Sequence, residues 1–270
     1  MTSHIATSND DFRKASPELP IADLGESDDG RRETERRLGS KGGAGVWQTI
    51  INQMPPHRAY IEPFLGWAVV MKAKLPADRN IGIDRDADRI QSARLDLPTA
   101  ELTIGDGGLA FLSALNGAAA SWVYCDPPYL LETRSGSQRY SFQLSDHSRL
   151  LDVLLRLSCP VILSGYHSTL YAETLRTWRA VTFTGVTRGG PRTEYLWCNF
   201  PEPIELHDYR YLGRNFRERD NLKRMKHRWK QKLATMPPLK RHALFAALRE
   251  ALERSQSHAR AFTVPTRVLD

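Results

Sequence analysis

The sequence predicts an α/β protein with a seven-stranded, mostly parallel sheet, an antiparallel hairpin at one edge of that sheet, and a small basic helical module at the C-terminal end. Three observations support this prediction. Short apolar runs alternate with helical patterns through the middle of the chain. Only a short turn, around residues 189–191, separates the last two runs. After Pro201-Glu202-Pro203 the chain becomes helical in pattern and rich in Lys and Arg.

Each predicted strand is a short apolar run bounded by polar or turn residues. The runs are residues 59–61, 81–83, 100–104, 122–125, 161–163, 180–184 and 194–198. Apolar strands that alternate with helices are typical of a parallel sheet covered on both faces. The last two strands are expected to pair antiparallel, because a short turn cannot make the long crossover that parallel strands require.

The chain divides into four parts by composition. Residues 1–38 are polar without a sustained period, and we interpret them as a disordered or flexible arm. Residues 39–205 contain all seven predicted strands and are expected to form the main domain. Residues 206–256 show two helical patterns broken at Met236-Pro237-Pro238, and residues 257–270 form a tail.

Composition narrows the class of protein. The sequence has no apolar run near the ~18 residues that span a membrane, and its first residues lack the apolar core of a secretory signal. Cys125, Cys159 and Cys198 lie in apolar segments and match no zinc-binding spacing, so we expect a reduced, cytoplasmic protein without a metal.

The net charge of +7 is unevenly distributed. Residues 201–270 contain 16 Lys and Arg against 8 Asp and Glu, whereas residues 1–200 are close to neutral. A localised basic region predicts nucleic-acid binding. From charge alone, a solvated helical surface is an equally good interpretation.

Distinctive residues follow four successive predicted strands. They are Glu62-Pro63-Phe64-Leu65-Gly66, Asp84, Asp106, and Asp126-Pro127-Pro128-Tyr129. Ligands of open α/β sheets bind beyond the carboxyl ends of the strands, and an acid after the second strand commonly binds ribose hydroxyls. Any one of these features alone could be a helix cap or a rigid turn. Their succession at four strand ends favours one shared ligand site.

The Asp-Pro-Pro-Tyr segment has the chemistry to hold an amino group. Its two prolines stiffen the loop and remove backbone donors, so that nearby carbonyl oxygens are free to accept. Asp126 offers a second acceptor and Tyr129 offers a flat ring. Such a loop would grip an exocyclic amino group on a planar base and leave the nitrogen lone pair free to attack.

Taken together, the motifs resemble those of the Dam-like DNA adenine-N6 methyltransferases that use S-adenosylmethionine, in particular the short enzymes of phages and bacteria. Besides Asp84 and Asp106, the matching segments are KGGAG (41–45), YIEPFLG (60–66), YCDPPYLLETRS (124–135), ILSGYHSTLY (162–171) and RTEYLWCNF (192–200). The resemblance covers about residues 40–200. It implies a Rossmann-like methyltransferase fold for the main domain.

The resemblance also implies a role for each matching position. The cofactor would be bound by Lys41, Gly42, Gly43, Glu62, Phe64, Gly66, Asp84, Asp106 and Asp126. The catalytic residues would be Asp126, Pro127, Pro128 and Tyr129. Asp126 and the Pro127 carbonyl would accept hydrogen bonds from the N6 amino group, and Tyr129 would stack on an adenine extruded from the duplex.

One departure from the longer Dam-like enzymes concerns DNA reading. Those enzymes place a sequence-reading insert between the cofactor turn and the Asp-Pro-Pro-Tyr motif, whereas here two predicted strands and their helices fill that interval. The basic module is the natural substitute, helped by the 131–144 loop unless that loop is simply surface. The predicted nucleic-acid-binding residues are Arg134, Arg139, Arg214, Arg217, Lys223, Arg224, Lys226, Arg228 and Lys230.

The expected function is therefore site-specific methylation of adenine N6 in double-stranded DNA, in a bacterial or phage-encoded protein of the cytoplasm or nucleoid. The expected partner is DNA rather than a membrane, and a homodimer would suit a two-fold site. Two alternatives stay open. One is methylation of RNA adenine N6 or of cytosine N4. The other is a DNA-binding protein without activity, which the intact motifs disfavour.

Overall fold

The described part of the chain contains one continuous sheet with helices on both faces. The computed structural model describes residues 41–43, 45–106, 108–115, 121–130, 142–187 and 190–261, with side chains up to residue 254 except at 186 and 187. The predicted arm, residues 1–38, lies outside the described residues. So do Arg134 and Arg139, most of their loop, and residues 262–270 of the predicted tail.

The sheet has the predicted number of strands. They are β1 Ala59–Glu62, β2 Arg79–Asp84, β3 Glu101–Ile104, β4 Ser121–Cys125, β5 Val161–Gly165, β6 Arg179–Thr187 and β7 Gly190–Cys198. Their order is β3-β2-β1-β4-β5-β7-β6. Strands β1 to β5 pair in parallel, and β7 runs antiparallel to both β5 and β6. The predicted Rossmann-like methyltransferase fold, with its antiparallel edge hairpin, is confirmed.

Helices cover both faces of this sheet. They are α1 Val46–Ile51, α2 Val69–Ala73, α3 Ala87–Asp96, α4 Gly108–Ala114, α5 Leu144–Arg156 and α6 Thr169–Thr174. Alternation along β4 separates the two layers of the core, because successive strand side chains point to opposite faces. Trp122 and Tyr124 pack with α1 to α3, whereas Val123 and Cys125 pack with α4 to α6.

Two helices follow the sheet at the C-terminal end. They are α7 Phe216–Thr235 and α8 Pro238–Ala261, separated by the predicted break at Met236. Helix α8 continues five residues beyond the expected end at 256, since no proline occurs before Pro265. Within the described residues, α7 and α8 do not pack closely along each other or along any other helix or strand.

The segment before α7 belongs to the main body and is not helical. The His207 amide donates to the Met54 carbonyl at 2.9 Å, and the buried Asp208 carboxylate accepts from the Leu75 amide at 3.1 Å. Residues 206–213 were expected to be part of the basic helical module. Instead these hydrogen bonds attach them to the main body, and the helical part begins only at Phe216.

Gly108 lets α4 begin close to the loop that follows β1. A Cβ atom at this position would lie 2.5 Å from the Pro63 carbonyl oxygen. We therefore expect Gly108→Ala to lower the free energy of unfolding by about 1–3 kcal/mol, as overpacking usually does. Urea unfolding measures the change, and Ser113→Ala at the exposed side of the same helix is the control. Equal stability of both variants would show that the loop yields without cost.

Three further findings concern membranes, metals and thiols. No helix among the described residues is both long and apolar enough to cross a bilayer. In the same part of the chain, no three His, Cys, Asp or Glu side chains are grouped as a metal site requires. Cys125, Cys159 and Cys198 are buried free thiols, and burial raises the pKa of Cys198 to about 11.

Candidate active site

The strand order brings the four predicted strand ends to one edge of the sheet. Because β1 lies between β2 and β4, the loops after β3, β2, β1 and β4 follow one another along the carboxyl edge. The order reverses between β1 and β4, which is where ligands bind in open α/β sheets. The loop with Gly66 lies on one side of this reversal, and Asp126 lies on the other.

The turn after β1 is tied to the end of β2. Gly66 adopts a left-handed backbone with φ of 54°, which favours glycine. Its amide donates to the Asp84 carboxylate at 2.7 Å, and the Leu65 amide donates to the Ile83 carbonyl at 2.9 Å. This turn therefore presents backbone without a side chain beside a carboxylate.

Asp84 is buried and partly engaged. Besides Gly66, its carboxylate accepts from the Asp86 amide at 2.9 Å, and the Arg89 guanidinium lies 4.0 Å away. Each carboxylate oxygen can accept more than one hydrogen bond. Asp84 can therefore hold the turn and still accept from ligand hydroxyl groups.

The other predicted cofactor residues differ in exposure. Glu62 is buried and accepts from the Tyr60 hydroxyl at 2.9 Å, and burial raises the pKa of Glu62 well above its usual range. Phe64 is half-buried and packs edge-on against Phe142. Asp106 is 78% exposed and lies 3.0 Å from the Arg85 guanidinium. Glu62 is thus enclosed at the end of β1, whereas Asp106 faces solvent after β3.

Asp126 is held in place by residues from distant parts of the chain. The Ser164 hydroxyl, at the end of β5, donates to Asp126 Oδ1 at 2.7 Å. The Lys41 ammonium lies 3.0 Å from the same oxygen. The carboxylate is 17% exposed, so it faces the edge without being fully solvated. Pro127 is buried, and Pro128 and Tyr129 are half-buried.

Lys41 was predicted to bind the cofactor, and the structure places its ammonium among the residues around Asp126. Its Nζ atom lies 3.2 Å from Glu194 Oε2 and also contacts the Tyr129 hydroxyl. Burial alone would lower the pKa of Lys41, but the Asp126 and Glu194 carboxylates outweigh burial and raise it. Lys41 is therefore a cation. Gly42 and Gly43 lead from it into α1, where the Gly43 carbonyl accepts from the Val46 amide.

Tyr129 belongs to the same cluster. Its hydroxyl donates to Glu194 at 3.0 Å, and the Lys41 ammonium lies 4.6 Å from the ring centroid. The Tyr166 ring meets it edge-on at 4.7 Å. Burial, with smaller contributions from Asp126 and Glu194, raises the pKa of Tyr129 well above its usual range. The ring is contacted by Lys41 and Tyr166, and the residue as a whole is half-buried.

Sequence reasoning assigned no role to Ser164, Tyr166 or Glu194. All three occur in segments that carry the resemblance, but nothing in their local pattern points to Asp126. Glu194 reaches the site because β7 runs antiparallel to β5, so its first half lies at the carboxyl edge of the parallel strands. A signal was present in Glu194 itself, a buried acid immediately before the apolar end of β7.

The described cations that were predicted to bind nucleic acid have different partners, and all except the half-buried Lys226 are exposed. Arg214 pairs with Glu218, Arg224 pairs with Asp220, and Lys226 donates to the Tyr209 carbonyl at 2.6 Å. Exposed pairs of this kind contribute little stability. The remaining predicted cations are all exposed: Arg217, Lys223, Arg228 and Lys230.

One row of cations runs along the outer face of α7. Residues separated by four or seven positions lie on one side of a helix. The members of this outer row are Arg217, Arg224, Arg228 and Lys232, and all four are exposed. A helix of 20 residues is about 30 Å long, so the row is long enough to follow several phosphates.

Comparisons with known proteins give structural likeness only. No family model matches the chain, and no curated protein matches it. Similar solved structures include a methyltransferase from Geobacter sulfurreducens, 14% identical over 58% of this chain and 77% of that one, with a TM-score of 0.39. A dimethyladenosine transferase from Plasmodium falciparum is 13% identical over 57% and 59%, also with a TM-score of 0.39.

A third similar structure is magnesium protoporphyrin IX methyltransferase from Synechocystis PCC 6803, with S-adenosylmethionine bound. It is 14% identical over 58% of this chain and 76% of that one, with a TM-score of 0.39. The names of the last two proteins refer to different substrates. The function of this chain must therefore be inferred from its own site residues.

Proposed function

We propose that this chain is an S-adenosylmethionine-dependent methyltransferase that modifies N6 of an adenine extruded from duplex DNA. The observation that carries the proposal is Asp126, a carboxylate held by Ser164 beside the point where the strand order reverses. Three residues further on is the aromatic ring of Tyr129, a residue that is half-buried. An acceptor beside a ring fits an amino group on a planar base.

The residues of the first three strand ends fit the chemistry of the cofactor. Asp84 can accept from a pair of ribose hydroxyls while it holds Gly66, and the bare Gly66 turn allows close approach of a ligand. Asp106, which is exposed after the end of β3, can accept from the amino group of the cofactor's adenine. When bound there, S-adenosylmethionine supplies a methyl group attached to a positively charged sulfur.

Asp126 and the Pro127 carbonyl would accept the two N–H bonds of the target amino group. These contacts would leave the nitrogen lone pair free to take the methyl group that the cofactor would supply, and the cofactor's sulfur would keep the electron pair of the broken bond. The proton then released from nitrogen has Asp126 as its nearest acceptor. Positioning of this kind, with preorganised acceptors, supplies much of the rate enhancement of enzymes.

Lys41 and Glu194 would prepare Asp126 for this role. The Lys41 ammonium and the Ser164 hydroxyl both contact Oδ1 of Asp126, so the target amino group would donate to Oδ2. When the base enters, Glu194 keeps the ammonium paired, since it lies 3.2 Å from Nζ. The buried cation is thus never left without a carboxylate, which would be costly.

Duplex DNA is the proposed substrate because two features act together. The acceptors around Asp126 suit an amino group whose nitrogen can be reached only after the base has left the helical stack. The outer row of α7 supplies cations that can follow the phosphate backbone.

Methyl transfer to matched nucleic acids tests this proposal. Purified protein would be given methyl-labelled cofactor with duplex DNA, single-stranded DNA or RNA of the same sequence. We expect label chiefly in the duplex. Preferential labelling of RNA would contradict the DNA assignment and would favour an RNA methyltransferase.

Asp84→Ala is expected to weaken cofactor binding about tenfold or more, since charge-assisted hydrogen bonds contribute roughly 1.5–3 kcal/mol. Isothermal titration calorimetry measures the dissociation constant. Asp88→Ala, two residues into α3 and exposed, is the matched control. If Asp84→Ala bound the cofactor with normal affinity, the role of Asp84 would be only to accept from the Gly66 and Asp86 amides.

Tyr129→Ala is expected to weaken capture of the extruded base by about 1–3 kcal/mol, the usual loss when one stacked aromatic ring is removed. Fluorescence of 2-aminopurine at the target position reports extrusion. Tyr129→Phe keeps the ring but removes the hydrogen bond to Glu194, so it separates stacking from hydroxyl chemistry. If alanine and phenylalanine variants lose capture equally, stacking is not the role of this ring.

A further inference from the structure

Helix α7 carries an apolar stripe that is exposed at its centre and half-buried at its two ends, Leu222 and Leu233. Leu222, Met225, Trp229 and Leu233 follow one another at helical spacing. Met225 is 42% exposed and Trp229 is 50% exposed. A stripe of this kind on a soluble protein usually marks a surface that binds something.

Cations border this stripe on both sides. The outer row, defined above, lies on one side. The other side, an inner row, is formed by Arg219, Lys223, Lys226 and Lys230. A fitting partner must therefore be apolar in the middle and acidic around it. A second copy of α7 fails this requirement because its cations would face cations.

The chain itself contains a segment with the required chemistry. Residues 18–29 have no Lys or Arg, and their net charge is −5. The acidic members are Glu18, Asp23, Glu26, Asp28 and Asp29, and Leu19, Ile21 and Leu24 lie among them. We call residues 18–29 the acidic segment. Its charge and its apolar residues complement the stripe and both cation rows.

The described chain begins close to the base of α7. A Cβ on Gly45 would lie 4.0 Å from the Arg219 guanidinium, and the Asn52 side chain donates through Nδ2 to the Tyr211 carbonyl at 3.0 Å. Residues 30–40 connect the acidic segment to this region. Eleven extended residues reach at most about 40 Å, which exceeds the ~30 Å length of α7. The acidic segment can therefore reach every turn of the helix.

We propose that the acidic segment docks on α7 of the same chain, over the Met225 and Trp229 stripe and between the two cation rows. There it occupies the cations that would otherwise follow DNA phosphates, so docking and DNA binding exclude each other. The competition rests on the proposed function, whereas the docking does not. The segment acts as an internal competitor for the cations of α7. DNA that binds weakly or nonspecifically displaces it poorly.

Carbodiimide crosslinking of the full chain tests the docking without DNA or cofactor. The reagent joins a carboxylate directly to a neighbouring lysine. We expect links from the acidic segment to Lys223, Lys226, Lys230 or Lys232, within single chains in a mixture of isotopically light and heavy protein. Links only between chains, or only to lysines outside α7, would overturn docking in the same chain.

Matched substitutions separate docking from loss of folding. Met225→Ser with Trp229→Ser is expected to reduce the yield of these links several-fold. Leu248→Ser with Leu252→Ser changes two exposed apolar residues of α8 and is expected to leave the yield unchanged. Equal yields in both double variants would show that the stripe takes no part.

DNA binding tests the competition. If the docked form is about 90% populated, releasing it lowers the apparent Kd about tenfold. We expect this for the variant Asp23→Asn, Glu26→Gln, Asp28→Asn, Asp29→Asn. The control Asp88→Asn, Asp152→Asn, Glu173→Gln, Glu202→Gln changes the total charge equally at exposed positions. The same Kd in both variants would overturn the competition. If the protein gives the crosslinks within single chains but binds no DNA at all, the proposed function is overturned and the docking remains supported.

Discussion

Asp126→Ala is expected to abolish methyl transfer, with a loss of at least about a thousandfold in kcat, while the cofactor binds nearly as well as before. Removing one preorganised contact to the reacting group already costs about 10²–10³ in kcat. Here the same change also takes away one of the two carboxylates that pair with Lys41, and it takes away the acceptor of the Ser164 hydroxyl. The orientation of the target amino group is therefore lost together with its acceptor.

Single-turnover methylation and cofactor titration measure the two effects separately. The turn with Gly66 and Asp84 is built without Asp126, so the cofactor dissociation constant should change little. Asp152→Ala, on the exposed side of α5, is the control for a lost carboxylate. Thermal unfolding shows whether the variant remains folded. Turnover of folded Asp126→Ala at the unmodified rate would contradict the proposed role of this residue.

Neutralising the outer row of α7 is expected to weaken DNA binding strongly and to flatten its dependence on salt. The variant replaces all four outer-row cations by glutamine. Each phosphate contact contributes about 0.9 to the slope of log K against log salt. At 0.1 M salt, a slope of 0.9 corresponds to a loss of roughly eightfold in DNA affinity for each contact removed. Removing one to four contacts is therefore expected to weaken binding by between about tenfold and several thousandfold.

A control of equal charge tests whether the outer row itself matters. It replaces Arg156, Arg176, Lys240 and Arg249 by glutamine; all four are exposed, and none belongs to either cation row of α7. We expect a smaller change in slope for this control. Fluorescence anisotropy over a range of salt concentrations measures both. If the outer-row variant has the same slope of log K against log salt as the unmodified protein, the outer row is only a solvated surface, and the DNA contacts must lie elsewhere.

The strand-end residues were predictable because a parallel sheet has a simple rule. Once strands alternate with helices, Glu62, Asp84 and Asp126 must reach the same edge, whatever the details of packing. The break at Met236 was predictable for a similarly local reason, since proline cannot continue a helix. Both predictions depend on short-range chemistry that a single sequence contains.

The cluster around Asp126 depends on long-range pairing and was predicted only in part. Lys41 and Glu194 are 153 positions apart, and no local pattern connects them. Glu194 reaches the site only because the last strand reverses direction. The loop with Arg134 and Arg139 lies outside the described residues, so its predicted role in DNA binding stays a prediction.

The identity of the methylated atom tests the central claim most directly. Duplex DNA would be incubated with the protein and methyl-labelled cofactor, digested to nucleosides, and analysed by chromatography with mass spectrometry. We predict label in N6-methyl-2′-deoxyadenosine, and none there when Asp126→Ala replaces the unmodified protein. Label in a cytosine nucleoside, or DNA left unlabelled by folded protein that binds the cofactor, would contradict the account.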